Sequence, residues 1–169
     1  MAEINPETRM ITLQSSDKMD FEIQRDAIRK AVTIETLIGD LNMDDPTVAD
    51  QVIPLLDIDS ETLGRVIEYC NQHVEDPIFT GNEEEEFTIS DSDRQLLEID
   101  AKPLYHMIVA ANYLDIKCLL KKCCRIVAEY VRGQPVSAMR RIYNIESDYT
   151  PEEDDQIKKE NAWCELPDN

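Results

Sequence analysis

The sequence predicts a mixed α/β fold, one compact domain with a helical appendage, and three stretches predict it. Residues 10–14, Met-Ile-Thr-Leu-Gln, are β-rich and alternate weakly, and residues 19–23 can return across the turn Ser15-Ser16-Asp17-Lys18 as the second arm of a hairpin. Leu63, Val66, Ile67, Cys70 and Val74 fall on one helical stripe. Leu104 to Val131 is the longest apolar-rich segment and the only one dense enough to centre a core. A chain of 169 residues, 42% hydrophobic, can bury one such core but not two independent ones.

In chain order, the hairpin is followed by a single helical turn at residues 27–30. Thr33 then precedes Ile34, Leu37, Ile38 and Leu41, apolar at helical spacing with Glu35 and Asp40 outward, so a short helix is expected, closed near Gly39 or after Asn42. Residues 42–51 read as a polar loop. Residues 52–56 are short and β-rich, but Pro54 has no N–H to donate, which places them on a sheet edge. Asp59 or Ser60 can cap the striped helix that follows. From 76 to 90 the chain turns to Pro, Gly, Asn and the glutamates 83–86, a solvated acidic loop. Asp91 and Ser92 can open a helix containing Leu96, Leu97 and Ile99, and Pro103 suits the first turn of the next.

At 100° per residue, Leu104, Met107, Ile108, Ala110, Ala111 and Leu114 cover more than half a helical circle, which predicts a buried helix. One mixed arc is left, carrying Tyr105, Val109, Asn112 and Tyr113. Beyond Asp115, Ile116, Leu119, Leu120, Cys123, Cys124, Ile126, Val127, Ala128, Tyr130 and Val131 spread over roughly 200°, about twice the stripe that one core needs. That helix must satisfy two neighbours. Gly133 can stop it, and Pro135 starts a segment in which Met139, Ile142 and Tyr143 share a face. Thr150-Pro151-Glu152-Glu153 has the form of a capping box, yet the helix it opens offers only Ile157 and then Trp163 as large apolar anchors. These last two helices need the preceding helix, or a second molecule, to lean on.

The formal net charge is −19, and it is unevenly placed: −18 over residues 1–100, +4 over 101–132 and −5 over 133–169. Such a balance disfavours nucleic acid and anionic membranes and favours basic or apolar protein partners. Lys117, Lys121, Lys122, Arg125 and Arg132 are expected on a solvated face that balances the acidic loop. The N-terminus has no basic region followed by an apolar run, and nothing approaches the 18 or so apolar residues of a membrane span. With an odd five cysteines and no glycosylation sequon, a soluble protein of a reducing compartment is expected, cytoplasmic and nuclear.

Catalytic chemistry has little to stand on. His73 and His106 have no Ser or Cys in a nucleophile context, and no phosphate loop or nucleophile elbow occurs. Cys70, Cys118, Cys123 and Cys124 show no paired CxxC spacing, and Cys70, Cys123 and Cys124 sit on apolar stripes where packing is their expected role. Asp57, Asp59 and Glu61 lack the glycine and spacing of a calcium loop. No enzyme activity, metal or cofactor is expected.

Several segments, in order, resemble the Skp family, the small adaptors of the Skp, cullin, F-box (SCF) ubiquitin ligases. They are ITLQSSD at 11–17, VTIETLIGDLNMDD at 32–45, VIEYCNQHVEDP at 66–77, AANYLDIKCLL at 110–120 and KKENAWCE at 158–165. The resemblance implies a BTB/POZ-type domain over 1–132 and C-terminal F-box-binding helices over 133–169, acting without catalysis as an adaptor between a cullin and F-box substrate receptors. It places Tyr105, Val109, Asn112 and Tyr113 against the cullin. It places Leu120, Cys124, Val127, Val131, Met139, Ile142, Tyr143, Ile145 and Trp163 against the F-box. A weak homodimer is expected when no partner is bound.

One segment departs from the family pattern. Where a Lys-Thr-Pro-Glu-Glu-Ile-Arg run is usual, residues 134–140 read Gln-Pro-Val-Ser-Ala-Met-Arg, losing the Thr cap and two first-turn acids. A lost cap costs about 1 kcal/mol, so this helix should fray, with a bearing on which F-box proteins are chosen. Two other roles compete with the adaptor: an acidic chaperone-like protein that shields basic clients, and an elongin C-like adaptor, against which the long C-terminal extension counts.

Overall fold

The computed structural model describes residues 9–42, 51–78 and 88–163. Three strands come first or nearly so: β1 (Met10–Gln14), β2 (Asp20–Gln24) and β3 (Val52–Pro54). They form one sheet in the order β2-β1-β3, with β1 antiparallel to β2 and parallel to β3. The register sets Ile11 opposite Ile23 and Leu13 opposite Phe21 and Ile53, so the inward side chains of all three strands share one face. Pro54 lies on the edge strand, as its missing donor requires. The hairpin turn is closed by the Ser15 N–H donating to the Met19 carbonyl at 2.9 Å, with Lys18 left-handed at φ 67°.

The helices are α1 (Arg25–Ile28), α2 (Val32–Asp40), α3 (Ser60–Gln72), α4 (Asp91–Leu97), α5 (Ala101–Tyr113), α6 (Lys117–Val131), α7 (Val136–Tyr143) and α8 (Pro151–Asn161). The chain divides into two compact units, residues 1–124 and 125–169, and the division falls inside α6.

In the first unit α3 packs on α5, α1 and α4, and its stripe is buried through Leu63, Val66, Ile67 and Cys70. Asp59 caps α3 by accepting from the Thr62 N–H at 2.8 Å, and the Asp17 carboxylate of the hairpin turn accepts from the Ser60 N–H at 2.9 Å. The turn and the helix start are therefore pinned to each other. Leu13, Ile34, Ile53, Leu55, Leu104 and Met107 complete a dry centre; each buried aliphatic side chain contributes roughly 1.5–3 kcal/mol.

Several boundaries differ from the sequence reading. The second helix starts at Val32, before Thr33, because Thr33 is used elsewhere: its hydroxyl donates to the Tyr113 carbonyl at 2.9 Å. Leu41 lies past that helix and is exposed, and Glu35 is half-buried beside Arg25 at 3.6 Å instead of facing outward. The fourth helix begins at Asp91 as expected, with Ser90 as its cap and Asp93 completing the box, but Ile99 and Val74 fall beyond their helices. The expected loop at 42–51 and the glutamates 83–86 lie largely or wholly outside the described residues.

In the second unit, Gly133 has φ +73° two residues past α6, a left-handed position that glycine takes without strain. Thr150 and Glu153 make the capping box of α8, with Thr150 Oγ1 accepting from the Glu153 N–H at 3.3 Å and Glu153 accepting from the Thr150 N–H at 2.9 Å. By contrast α7 has Pro135 at its N-cap position, with no side-chain cap and no acid in its first turn. Arg140 of α7 pairs with Asp154 of α8 at 3.5 Å and lies over the Tyr149 ring at 5.7 Å. Among the described residues, none after Ile126 is buried.

Candidate functional site

The structure offers two exposed apolar surfaces and one buried polar cluster. On α5 the buried face carries Leu104, Met107, Ala110 and Ala111, and the opposite face carries Tyr105, Val109, Asn112 and Tyr113, all exposed. Tyr105, Val109 and Tyr113 are spaced by four, so they form one ridge along the helix. Tyr105, at 63% exposed, is the most open of them. The ridge is held from behind, where the Thr33 N–H and hydroxyl of α2 satisfy the Leu114 and Tyr113 carbonyls at the end of α5. Asp115, left-handed at φ 53°, then turns the chain into α6.

The wide apolar arc of α6 divides by burial. Leu119, Cys123 and Ile126 are buried, and Leu120, Val127 and Val131 are half-buried. Cys124, expected to pack, is exposed because it belongs to the second face: at 100° per residue, positions 120, 124, 127 and 131 lie within an arc of about 60°. In the second unit Met139 is half-buried, while Ile142, Tyr143, Ile145 and Trp163 are exposed, Trp163 to 84%. An indole that open has no packing role in its own unit.

The thiols divide by the same geometry. Burial pushes Cys70 and Cys123 up to about 12, so both stay protonated at neutral pH and act as packing groups. Burial also raises Cys118, against the pull of the neighbouring Lys122 and Lys30.

Sequence reasoning missed the buried cluster. Lys122, expected on a solvated face, is only 6% exposed, since 122 shares its helical face with 119, 123 and 126. Its ammonium donates to Asp93 Oδ2 at 2.7 Å, lies 3.0 Å from His73 Nε2 and sits over the Tyr69 ring at 5.0 Å. His73 stacks on Tyr69 at 4.1 Å, and its Nδ1 lies 2.8 Å from the Tyr69 carbonyl. Burial by itself would raise the Asp93 carboxyl, but hydrogen bonds from Lys122 and Ser90 outweigh it and hold it below the usual carboxylate range. Three elements, α3, α4 and α6, thus meet through one buried ammonium. His106, in contrast, is half-exposed on α5, 3.5 Å from Asp59.

Both parts of the chain match one family: residues 9–75 fit the Skp1 family tetramerisation domain and residues 117–164 the Skp1 family dimerisation domain. A Skp1-related protein of Caenorhabditis elegans is 42% identical over 162 residues, 93% of this chain and 92% of the relative. The SCF ubiquitin ligase complex protein SKP1a of Dictyostelium discoideum is 39% identical, covering 92% of this chain and 96% of its own. An E3 ubiquitin ligase complex SCF subunit, sconC, of Talaromyces marneffei is 36% identical with the same coverage. With the small mixed sheet and helices of a BTB/POZ-like domain and relatives this similar along nearly their whole lengths, the chain belongs to the Skp1 family.

Proposed function

We propose that this chain is a non-catalytic adaptor of an SCF-type ubiquitin ligase, joining a cullin scaffold to F-box substrate receptors so that bound substrates are ubiquitinated and degraded. The observation that carries it is the described part of 125–163, which has no buried residue after Ile126 yet presents Ile142, Tyr143, Ile145 and Trp163 to solvent. A surface of that kind is stable in water only at a cost that a partner removes. The F-box takes the outer stripe of α6 (Leu120, Cys124, Val127 and Val131) together with Met139, Ile142, Tyr143, Ile145 and Trp163. The cullin takes the α5 ridge of Tyr105, Val109, Asn112 and Tyr113. When neither is present, a second copy covers part of the same apolar surface weakly. The protein works in the cytoplasm and nucleus.

The test is co-purification with F-box segments and with a cullin N-terminal domain from one proteome. Tyr113→Lys should abolish cullin capture and leave F-box capture intact, because it puts a charge on one ridge and leaves the other surface alone. Failure of the native chain to bind any F-box segment sinks the adaptor role, and equal loss of both partners in Tyr113→Lys would mean a folding defect in place of a severed contact.

A further inference from the structure

The buried ammonium of Lys122 is fully committed. A lysine has three N–H donors and no acceptor, and here one reaches Asp93 Oδ2 at 2.7 Å, one reaches His73 Nε2 at 3.0 Å and the rest of the charge faces the Tyr69 ring. The imidazole is fixed by the same logic. A backbone carbonyl only accepts, so Nδ1 carries the hydrogen that reaches the Tyr69 carbonyl at 2.8 Å, and Nε2 must be bare to accept from Lys122. Asp93 Oδ2 accepts also from the Ser90 N–H at 2.9 Å and the Ser90 hydroxyl at 2.7 Å. Asp93 Oδ1, buried and without a hydrogen-bond partner, faces Nε2 at 3.1 Å.

That pair of lone-pair atoms is tolerable only while the ammonium stands beside both. With a second proton, His73 would satisfy Oδ1 but would then point an N–H at a cation 3.0 Å away. The tautomer with its hydrogen on Nδ1 is the one that lets His73 bond the Tyr69 carbonyl and Lys122 together. Of the other titratable groups nearby, Asp76 stands 3.9 Å from Nε2, and Lys30, ahead of α2, donates to the Asp76 carbonyl at 2.6 Å.

To the apolar packing of Leu119, Cys123 and Ile126, a buried ammonium with three fixed partners adds directional contacts that hold in one setting only. We propose that Lys122 is a positioning residue, whose bonds to Asp93 and His73 set the rotation of the first half of α6 against α3 and α4 and so hold Leu120 and Cys124 in the setting that an F-box receives. The receptor part of this rests on the adaptor reading above; the setting of the helix does not.

The test uses the full-length chain and three readouts: imidazole 15N resonances, backbone amide shifts of α6 and affinity for an F-box segment. At pH 7 the native His73 is expected to show a bare Nε2 and a protonated Nδ1. In Lys122→Met the Nε2 atom loses its donor, so its 15N resonance should move; a resonance unchanged by the substitution overturns the proposal. Because that variant leaves a buried carboxylate short of its main partner, Lys122→Met with Asp93→Asn removes both charges and restores a foldable interior. The double variant should shift the Leu120 and Cys124 amides and bind the F-box segment roughly tenfold more weakly. Lys117→Met, an exposed neighbour on the same helix, should leave the His73 resonances and the affinity unchanged and move only the amides beside its own position. Unmoved α6 amides in a stable double variant overturn the proposal, whether or not an F-box binds. Shifted amides with native affinity confine Lys122 to the interior and overturn the receptor part. A native chain that binds no F-box rejects the adaptor reading while the His73 and amide results stand.

Discussion

Asp93 does two jobs with one carboxylate: it closes the capping box of α4 and neutralises the buried Lys122 ammonium. Removing one member of a buried ion pair costs about 3–5 kcal/mol, because the other charge stays behind without water or partner. Asp93→Ala should therefore lower stability by about that amount at pH 7, read as a fall in the urea midpoint. The pH dependence has a definite sign. Asp93 is held below its ordinary value in the folded protein, so its contribution is complete above the unfolded value, near 4, and is lost as pH falls through the lower folded one. The difference between native and Asp93→Ala should then shrink steadily below about pH 4. A difference that stayed constant down to pH 2 would show that the ion pair contributes nothing. None of this was legible in the sequence: His73 and Asp93 stand 49 and 29 residues from Lys122, and no spacing rule joins residues so far apart. The helical angle sets Lys122 beside Leu119, Cys123 and Ile126, whereas its residue type alone points to solvent. The α5 ridge was legible for the opposite reason, since there angle and residue type agree.

Elements were read well where a local rule was complete. The hairpin, the Asp59-capped helix, the edge placement of Pro54, the break at Asp115 and the box at Thr150 all depend on residues within a few positions of one another. Boundaries slipped where a residue serves a distant element, as Thr33 does for the end of α5. The unequal caps of α7 and α8 give a prediction at this level. One good cap is worth about 1 kcal/mol, or roughly a fivefold change in the opening of the first turn. Amides of α7 should exchange with solvent before those of α8, and Thr150→Ala should speed α8 about fivefold while α3 is untouched. Equal exchange in the native helices would remove capping as the reason. Replacing Pro135 by serine is a poor test of the same idea, because the gained cap is offset by the freedom returned to the unfolded chain.

At the level of the whole molecule, the net charge of −19 and the exposed apolar side chains suggest opposite modes of binding. Attraction by an acidic surface acts across water and fades once the screening length falls to about 3 Å, near 1 M salt. Contact through buried aromatic side chains does not fade, and salt strengthens it slightly if at all. Trp163 separates the two. At 84% exposed it contributes little to its own unit, so Trp163→Ala should leave the unfolding midpoint of the free chain within about 0.5 kcal/mol of native. If the F-box buries that indole, the same substitution should weaken the complex by about 2 kcal/mol or more, some thirtyfold, at low and at high salt alike. Changing the glutamates at 83–86 to glutamine should leave the affinity within about twofold, since long-range charge attraction contributes little once screened. The reverse pattern, binding that collapses in salt, follows the glutamates and ignores Trp163, would assign the chain to the shielding of basic clients and reject the apolar surface as its working part.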